Sequence, residues 1–228
     1  MIPDTPAVLE GLRRQWPALM AGMFAFAWLL AAWQPLFPAD WALENVLSLL
    51  TAWWLLRRHR RAPLSNTAYT LLCVFGVLHE IGSHYTYAEV PYDAWIAALT
   101  GGSLNEALGF TRNHYDRLVH FLFGLLCYRP LRELLAPAVA SRWRWFAPIA
   151  AVAMVSMLYE QIEMFAALFF GGDLGQAYLG TQGDVWDAQK DSSMALSGAV
   201  LAAAITRLAG AKKAGAEGES APASRPAS

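Results

Sequence analysis

Residues 15–39 contain no charged side chain, an interval longer than the roughly 20 residues an α-helix needs to cross a hydrocarbon core. A run of that kind has to lie in apolar surroundings, and a membrane span is the simplest place for it. The whole chain leans the same way: 56% of its residues are hydrophobic and 15% charged, against roughly 45–50% and about 25% in an average soluble domain. Arg13 and Arg14 precede the run as the basic end of a secretory signal would. However, the apolar stretch is long and rich in Trp and Phe, and Pro38-Ala39-Asp40-Trp41 is a poor cleavage site. The run reads as a retained anchor.

Five further apolar segments follow, at residues 41–56, 66–87, 115–128, 143–170 and 185–208. The pattern predicts an all-α, polytopic membrane bundle of about six transmembrane helices. Residues 1–15 would form a cytoplasmic N-terminal segment and residues 16–208 the transmembrane domain. Residues 209–228, dominated by Ala, Gly, Ser, Pro, Lys and Glu, would form a disordered cytoplasmic tail. The outer loop at residues 88–113 contains an amphipathic piece, residues 92–99, expected to lie as a short helix in the interface and to break at Gly101-Gly102.

Lys and Arg collect in short cytoplasmic loops of membrane proteins. With both termini inside, the inner side holds Arg13, Arg14, Arg57, Arg58, Arg60, Arg61, Arg129, Arg132, Arg142, Arg144, Arg207, Lys212, Lys213 and Arg225. Of the 17 basic residues only Arg112, Arg117 and Lys190 are left outside. Trp and Tyr, which prefer the two interfaces, fall at the same boundaries: Trp16, Trp53, Trp54, Tyr128, Trp143 and Trp145 inside, Trp33, Trp41, Tyr85, Tyr87, Tyr115 and Trp186 outside. The net charge of -1 offers no basic field for nucleic acid. Cys73 and Cys127 both lie in apolar runs, where free cysteine behaves as a small buried side chain.

Ionisable residues inside a span are expensive and tend to face a bundle interior or a functional site. The third span ends in His79-Glu80-Ile81-Gly82-Ser83-His84, in which Glu80 and His84 share a helix face and His79 points about 100° away. Asp116 and His120 share a face of the fourth span, Glu160 and Glu163 lie one turn apart in the fifth, and Asp184, Asp187 and Asp191 form a stripe opening the sixth. At about 1.5 Å per residue, His79 lies about 20 Å and Glu160 about 24 Å from the cytoplasmic ends of their spans. Asp116, His120, Asp187 and Asp191 come within the first turns entered from outside. Four spans thus deliver His, Asp or Glu to one level in the outer half of the bilayer.

Imidazole with carboxylate is a ligand set for Zn²⁺, Mn²⁺ or Fe²⁺. The expected metal ligands are His84, Asp116, His120 and Asp187, with Glu80 and Glu160 as catalytic acid or base and His79, Tyr87, Asp184 and Asp191 as further candidates. Each group also has a structural reading: Glu80 with His84 as a packing pair, Asp116 with Arg117 as an interface ion pair, Asp184 as the N-cap of the sixth helix. Three functions fit: a metal-dependent hydrolase acting on a lipid or lipid-linked substrate at the outer interface, a proton- or cation-coupled transporter or channel, or a non-catalytic membrane scaffold. No G-x-S-x-G elbow, P-loop or dinucleotide-binding glycine motif occurs.

Three strings add a family resemblance: His84-Tyr85-Thr86-Tyr87-Ala88-Glu89-Val90-Pro91, Tyr115-Asp116-Arg117 with His120, and Tyr178-Leu179-Gly180-Thr181-Gln182-Gly183-Asp184-Val185-Trp186-Asp187-Ala188-Gln189 with Asp191. Over residues 43–208 the chain resembles the YjdF-type bacterial inner-membrane proteins, and in looser outline the VanZ-like small polytopic proteins. The resemblance implies a multi-pass protein of the bacterial cytoplasmic membrane and implies no reaction. Lys190 stands where relatives are expected to carry an apolar or aromatic residue.

Overall fold

A computed structural model of the chain describes residues 5–170 and 180–219, with side chains at 10–169 and 180–211. Among these residues the fold is all-helical. The long helices are α1 (Thr5–Ala31), α2 (Pro38–His59), α3 (Asn66–Tyr85), α6 (Tyr115–Leu135), α7 (Phe146–Phe170) and α8 (Asp187–Glu219). Two short helices, α4 (Tyr92–Thr100) and α5 (Leu104–Leu108), fold the loop between α3 and α6. Tyr178 and Leu179 lie outside the described residues.

Local signals set the ends of these elements. Ser65 caps α3 by accepting the Ala68 N–H, and Pro38 opens α2, where a missing N–H costs nothing. Gly101 stops α4 in a left-handed conformation with φ of 79°. Asp93 then ties the loop together, accepting from Ser103 Oγ at 2.8 Å and the Asn105 N–H at 2.9 Å. The segment from Ala209 is helical as far as Glu219, because its alanines, lysines and glutamates are good helix formers that simply continue α8. Residues 220–228 lie outside the described residues.

Contacts along the helices fix their directions. α1 runs parallel to α3, with Trp16 bonded to Thr70 at one end and His84 to the Ala31 carbonyl at the other. α6 runs against α3, since Glu133 accepts from Ser65 while Tyr115 donates to the Leu78 carbonyl. α8 is parallel to α6, and α7 antiparallel to it, with Ser156 beside His120 and Trp145 beside Tyr128. Neighbours in sequence therefore alternate in direction, and the arginines at 57–61, 129, 132, 142 and 144 gather at one end of the bundle.

Polar and charged side chains are buried beside the apolar core while large apolar ones cover the exterior. Buried positions hold Asp40, Glu44, Asn45, His79, Glu80, His120, Asp187 and Asp191 beside small residues such as Ala68, Ala195 and Ala199. Large apolar side chains point outward instead: Phe26, Leu29 and Leu30 on α1, Leu50 and Leu56 on α2, Phe165 and Leu168 on α7, Leu201 and Ile205 on α8. An apolar exterior that continuous is stable only in an apolar solvent. Two helices, Phe146–Phe169 and Asp187–Ala211, are by length and composition apolar enough to cross a membrane. α3 and α6 carry His79, Glu80 and His84, and Asp116, Arg117 and His120, within their apolar lengths, which lowers their overall hydropathy.

Candidate functional site

Gly124 of α6 and Gly198 of α8 let these two parallel helices meet backbone to backbone, the close approach that small residues permit in membranes. Their first turns consequently lie side by side. Asp116 from α6 and Asp187 and Asp191 from α8 each bring a carboxylate oxygen within 4.8 Å of the other two. Two cations hold the α8 side: Arg112 Nη1 lies 2.8 Å from Asp187 Oδ1, and Arg117 Nη2 lies 3.2 Å from the same oxygen. Arg117 also pairs with Asp184, and its Nε is 3.9 Å from Asp191. The Asp116–Arg117 pair considered from sequence does not form, because Arg117 turns to α8.

α7 closes the trio from another side. His120 Nε2 lies 3.4 Å from Glu160 Oε1 and 3.6 Å from Asp116 Oδ1, while its Nδ1 is 3.3 Å from Ser156 Oγ. Glu163 sits beside Glu160. Tyr159 turns its ring to His120 and donates its hydroxyl to Glu44 of α2. The buried oxygens Asp191 Oδ1 and Glu160 Oε1 have no hydrogen-bond partner among the described residues, an arrangement that normally costs free energy unless something else occupies the site.

The α3 residues divide between two sides. His79 contacts Tyr87 at 2.5 Å, and Tyr87 reaches it because Thr86 and Tyr87 both adopt left-handed backbone, with φ of 54° and 47°. The Tyr87 ring then lies on Gly82, where a Cβ would come within 2.6 Å of it. His84 stands apart from the acidic trio, with its Nδ1 on the Ala31 carbonyl at 2.9 Å. Glu80 is buried next to Ser83 and Asn45. The Glu80/His84 face thus meets α1 and α2, while His79 lies beside Tyr87 and the Glu44 backbone of α2 and lines the same cavity as Asp116 and His120.

Of the candidate residues, Asp116, His120, Glu160, Asp187 and Asp191 converge, Asp184 borders them through Arg117, His79 and Tyr87 lie nearby, and His84 and Glu80 face elsewhere. Sequence reasoning missed Arg112, Ser156 and Tyr159 as members. Glu44 was visible as a lone carboxylate in an apolar run, but its bond to Tyr159 depends on how α2 meets α7.

A cavity of about 680 Å³ leads to this cluster. Its polar end is formed by His79, Tyr87, Asp116, His120, Ser156 and Tyr159, and the rest is mainly Ala, Leu, Phe and Trp from α1, α2, α3 and α6.

Asp184 lies just before α8, where its Oδ1 accepts the Trp186 N–H while Lys190 contacts Oδ2 at 2.6 Å. The Lys190 ammonium, with that N–H and Arg117, holds the Asp184 carboxyl well below the usual range. A depressed carboxylate contributes stability above its unfolded value of about 3.9, and loses it as pH falls through the folded value. Asp184→Asn is expected to be less stable than the native chain at neutral pH and to lose less on acidification to about pH 3, measured by thermal unfolding in detergent. Parallel pH curves for the two proteins would refute this role.

A family profile described as "Predicted membrane protein (DUF2238)" matches residues 16–212. The chain is 37% identical over 163 residues to the Inner membrane protein YjdF of Escherichia coli (strain K12), covering 70% of this chain and 74% of that protein. No solved structure matches it.

Proposed function

This chain belongs to the DUF2238 family of predicted membrane proteins, and from that premise we propose that it is a multi-pass inner-membrane hydrolase, acting through a divalent cation on a lipid or lipid-linked substrate at the outer interface. Alternating helix directions, apolar exteriors on the long helices and arginines gathered at one end support six crossings, with both termini in the cytoplasm. The acidic end then faces the outer leaflet.

One observation carries the reading: three carboxylates from two helices converge at the end of a largely apolar cavity, with Asp191 Oδ1 and Glu160 Oε1 lacking hydrogen-bond partners among the described residues. The donors fit a cation. A carboxylate-rich set with one imidazole at its edge suits Mn²⁺ or Fe²⁺ better than Zn²⁺. When bound, such an ion lowers the pKa of water and polarises an ester or phosphoryl oxygen. Arg112 and Arg117 fix the orientation of Asp187 and Asp191. Ser156 sets the ring of His120, and Glu160, 3.4 Å from that ring, is placed to take a proton from an attacking water and pass it toward the leaving oxygen.

Elemental analysis of tag-free protein in detergent tests the reading, together with hydrolysis of 4-methylumbelliferyl oleate. We expect one Mn or Fe per chain, loss of that metal in Asp191→Asn, and loss of ester hydrolysis with it. Full hydrolysis in a metal-free sample, or unchanged metal content in the variant, would overturn it. The Tyr159–Glu44 bond, which joins the Glu44 carboxylate of α2 to the ring that lies beside His120, favours a proton relay as the second reading. That reading predicts ion flux in proteoliposomes that is abolished by Glu44→Gln.

A further inference from the structure

The cavity has features that say what enters it. Its volume of about 680 Å³ lies within the roughly 300–1,000 Å³ of small-molecule sites. Along α3 its walls run from Tyr69 to His79, ten residues or about 15 Å, so it is long in the direction of the bundle axis. The sides are mainly apolar, from Ala21 and Phe24 on α1, Ala52 and Leu55 on α2, and Leu72 and Phe75 on α3, with Ser48 and Thr51 of α2 among them. Hydrogen-bonding groups gather at the cluster end. The opposite end holds His59 and Tyr69, in contact with each other at 2.6 Å.

The charge of the lining is selective. Among the described residues no Lys or Arg lines it; Arg112 and Arg117 are instead paired with Asp184, Asp187 and Asp191. The carboxylate that does line it is Asp116, with Glu160 just behind His120. An anionic head group brought to that end would meet like charge in a low-dielectric interior with no Lys or Arg on the cavity wall to offset its desolvation. Hydroxyl and ester groups, by contrast, can bond to Tyr87, Ser156, Tyr159 and the imidazoles without moving a charge.

We infer that the cavity receives the single long acyl chain of a lipid ester whose head group carries no anionic charge, with the chain directed toward the arginine-rich end and the ester at the level of Asp116 and His120. For the fate of the ester this rests on the hydrolase reading, whereas the binding does not.

Native mass spectrometry of the full chain in detergent with excess EDTA, so that no turnover occurs, tests the binding with two oleoyl probes: 1-monooleoylglycerol and 1-oleoyl-lysophosphatidate. The expected result is a one-to-one adduct with monooleoylglycerol, at least tenfold stronger than with the anionic probe, and reduced at least tenfold by Ala52→Phe, which fills the cavity from α2. Ala21→Phe supplies the same block from α1 should the first variant unfold. Preference for the anionic probe, or block variants that bind as the native chain does, would overturn the inference. Metal content measured on EDTA-free samples of the same preparations keeps the two readings separate: selective binding with no metal would sink the hydrolase alone, and metal without selective binding would sink the acyl-chain site alone.

Discussion

Gly124→Ala is expected to cost about 3 kcal/mol or more, and to lower the thermal midpoint in detergent by roughly 6–12 °C for a chain of this size, although alanine is the better helix former. The added Cβ would fall on the carbonyl oxygen of Ala195 and 2.7 Å from the amide nitrogen of Ala199. Gly198 is placed the same way, facing the Phe121 carbonyl and lying 2.8 Å from the Leu125 amide nitrogen. Backbone cannot yield as a side chain can. To make room, α6 and α8 would have to separate, opening the packed group of Tyr128, Val152, Ala195, Ala199 and Ala202 and drawing Asp116 away from Asp187 and Asp191. Gly22 of α1 is the matched control, with nothing within 4 Å of its would-be Cβ. Gly22→Ala should be neutral or stabilise by up to about 1 kcal/mol, the difference in helix propensity. Equal midpoints for Gly22→Ala and Gly124→Ala would mean that α6 and α8 do not touch in this way.

Hydropathy and charge made the long helical segments legible, because every apolar run had to become a helix with its backbone internally bonded. Short-range pairing was legible too. Asp116 with His120, and Asp187 with Asp191, share helix faces by the i,i+4 rule, and both pairs reach the cluster. What one sequence does not carry is which face of a helix meets which neighbour. Glu80 and His84 share a face as surely as Asp116 and His120 do, yet α3 packs Gly76 on Phe24 of α1, and that turns Glu80 and His84 to α1 and α2. Arg112 and Arg117 looked like the outward residue of the charge pattern. They are the counter-ions of the acidic stripe on α8, a role that arises only when two helices 70 residues apart lie in parallel. The Tyr87 hydroxyl reaches His79 through two left-handed residues that are not glycine, which no turn motif announces.

Asp116→Asn separates a metal site from a structural one, because the two make opposite demands on the same carboxylate. Asp116, Asp187 and Asp191 present oxygens within 4.8 Å of one another, and unlike the α8 pair, Asp116 has no arginine in contact. In EDTA its charge adds repulsion to a crowded interior, so the asparagine variant is expected to be at least as stable as the native chain. With Mn²⁺ at 100 times its dissociation constant, a native chain that binds the ion only when folded gains about 2.7 kcal/mol, or roughly 5–11 °C in midpoint. The variant should gain almost none of this, and the stability order of the two proteins reverses between the two buffers. A scaffold predicts no reversal: if the carboxylate only holds α6 to α7 through His120, Asp116→Asn is the less stable protein in both buffers, by the same amount. Thermal unfolding of both proteins in EDTA and in Mn²⁺ decides between them, and an unchanged order would remove the metal centre from the interpretation of this bundle.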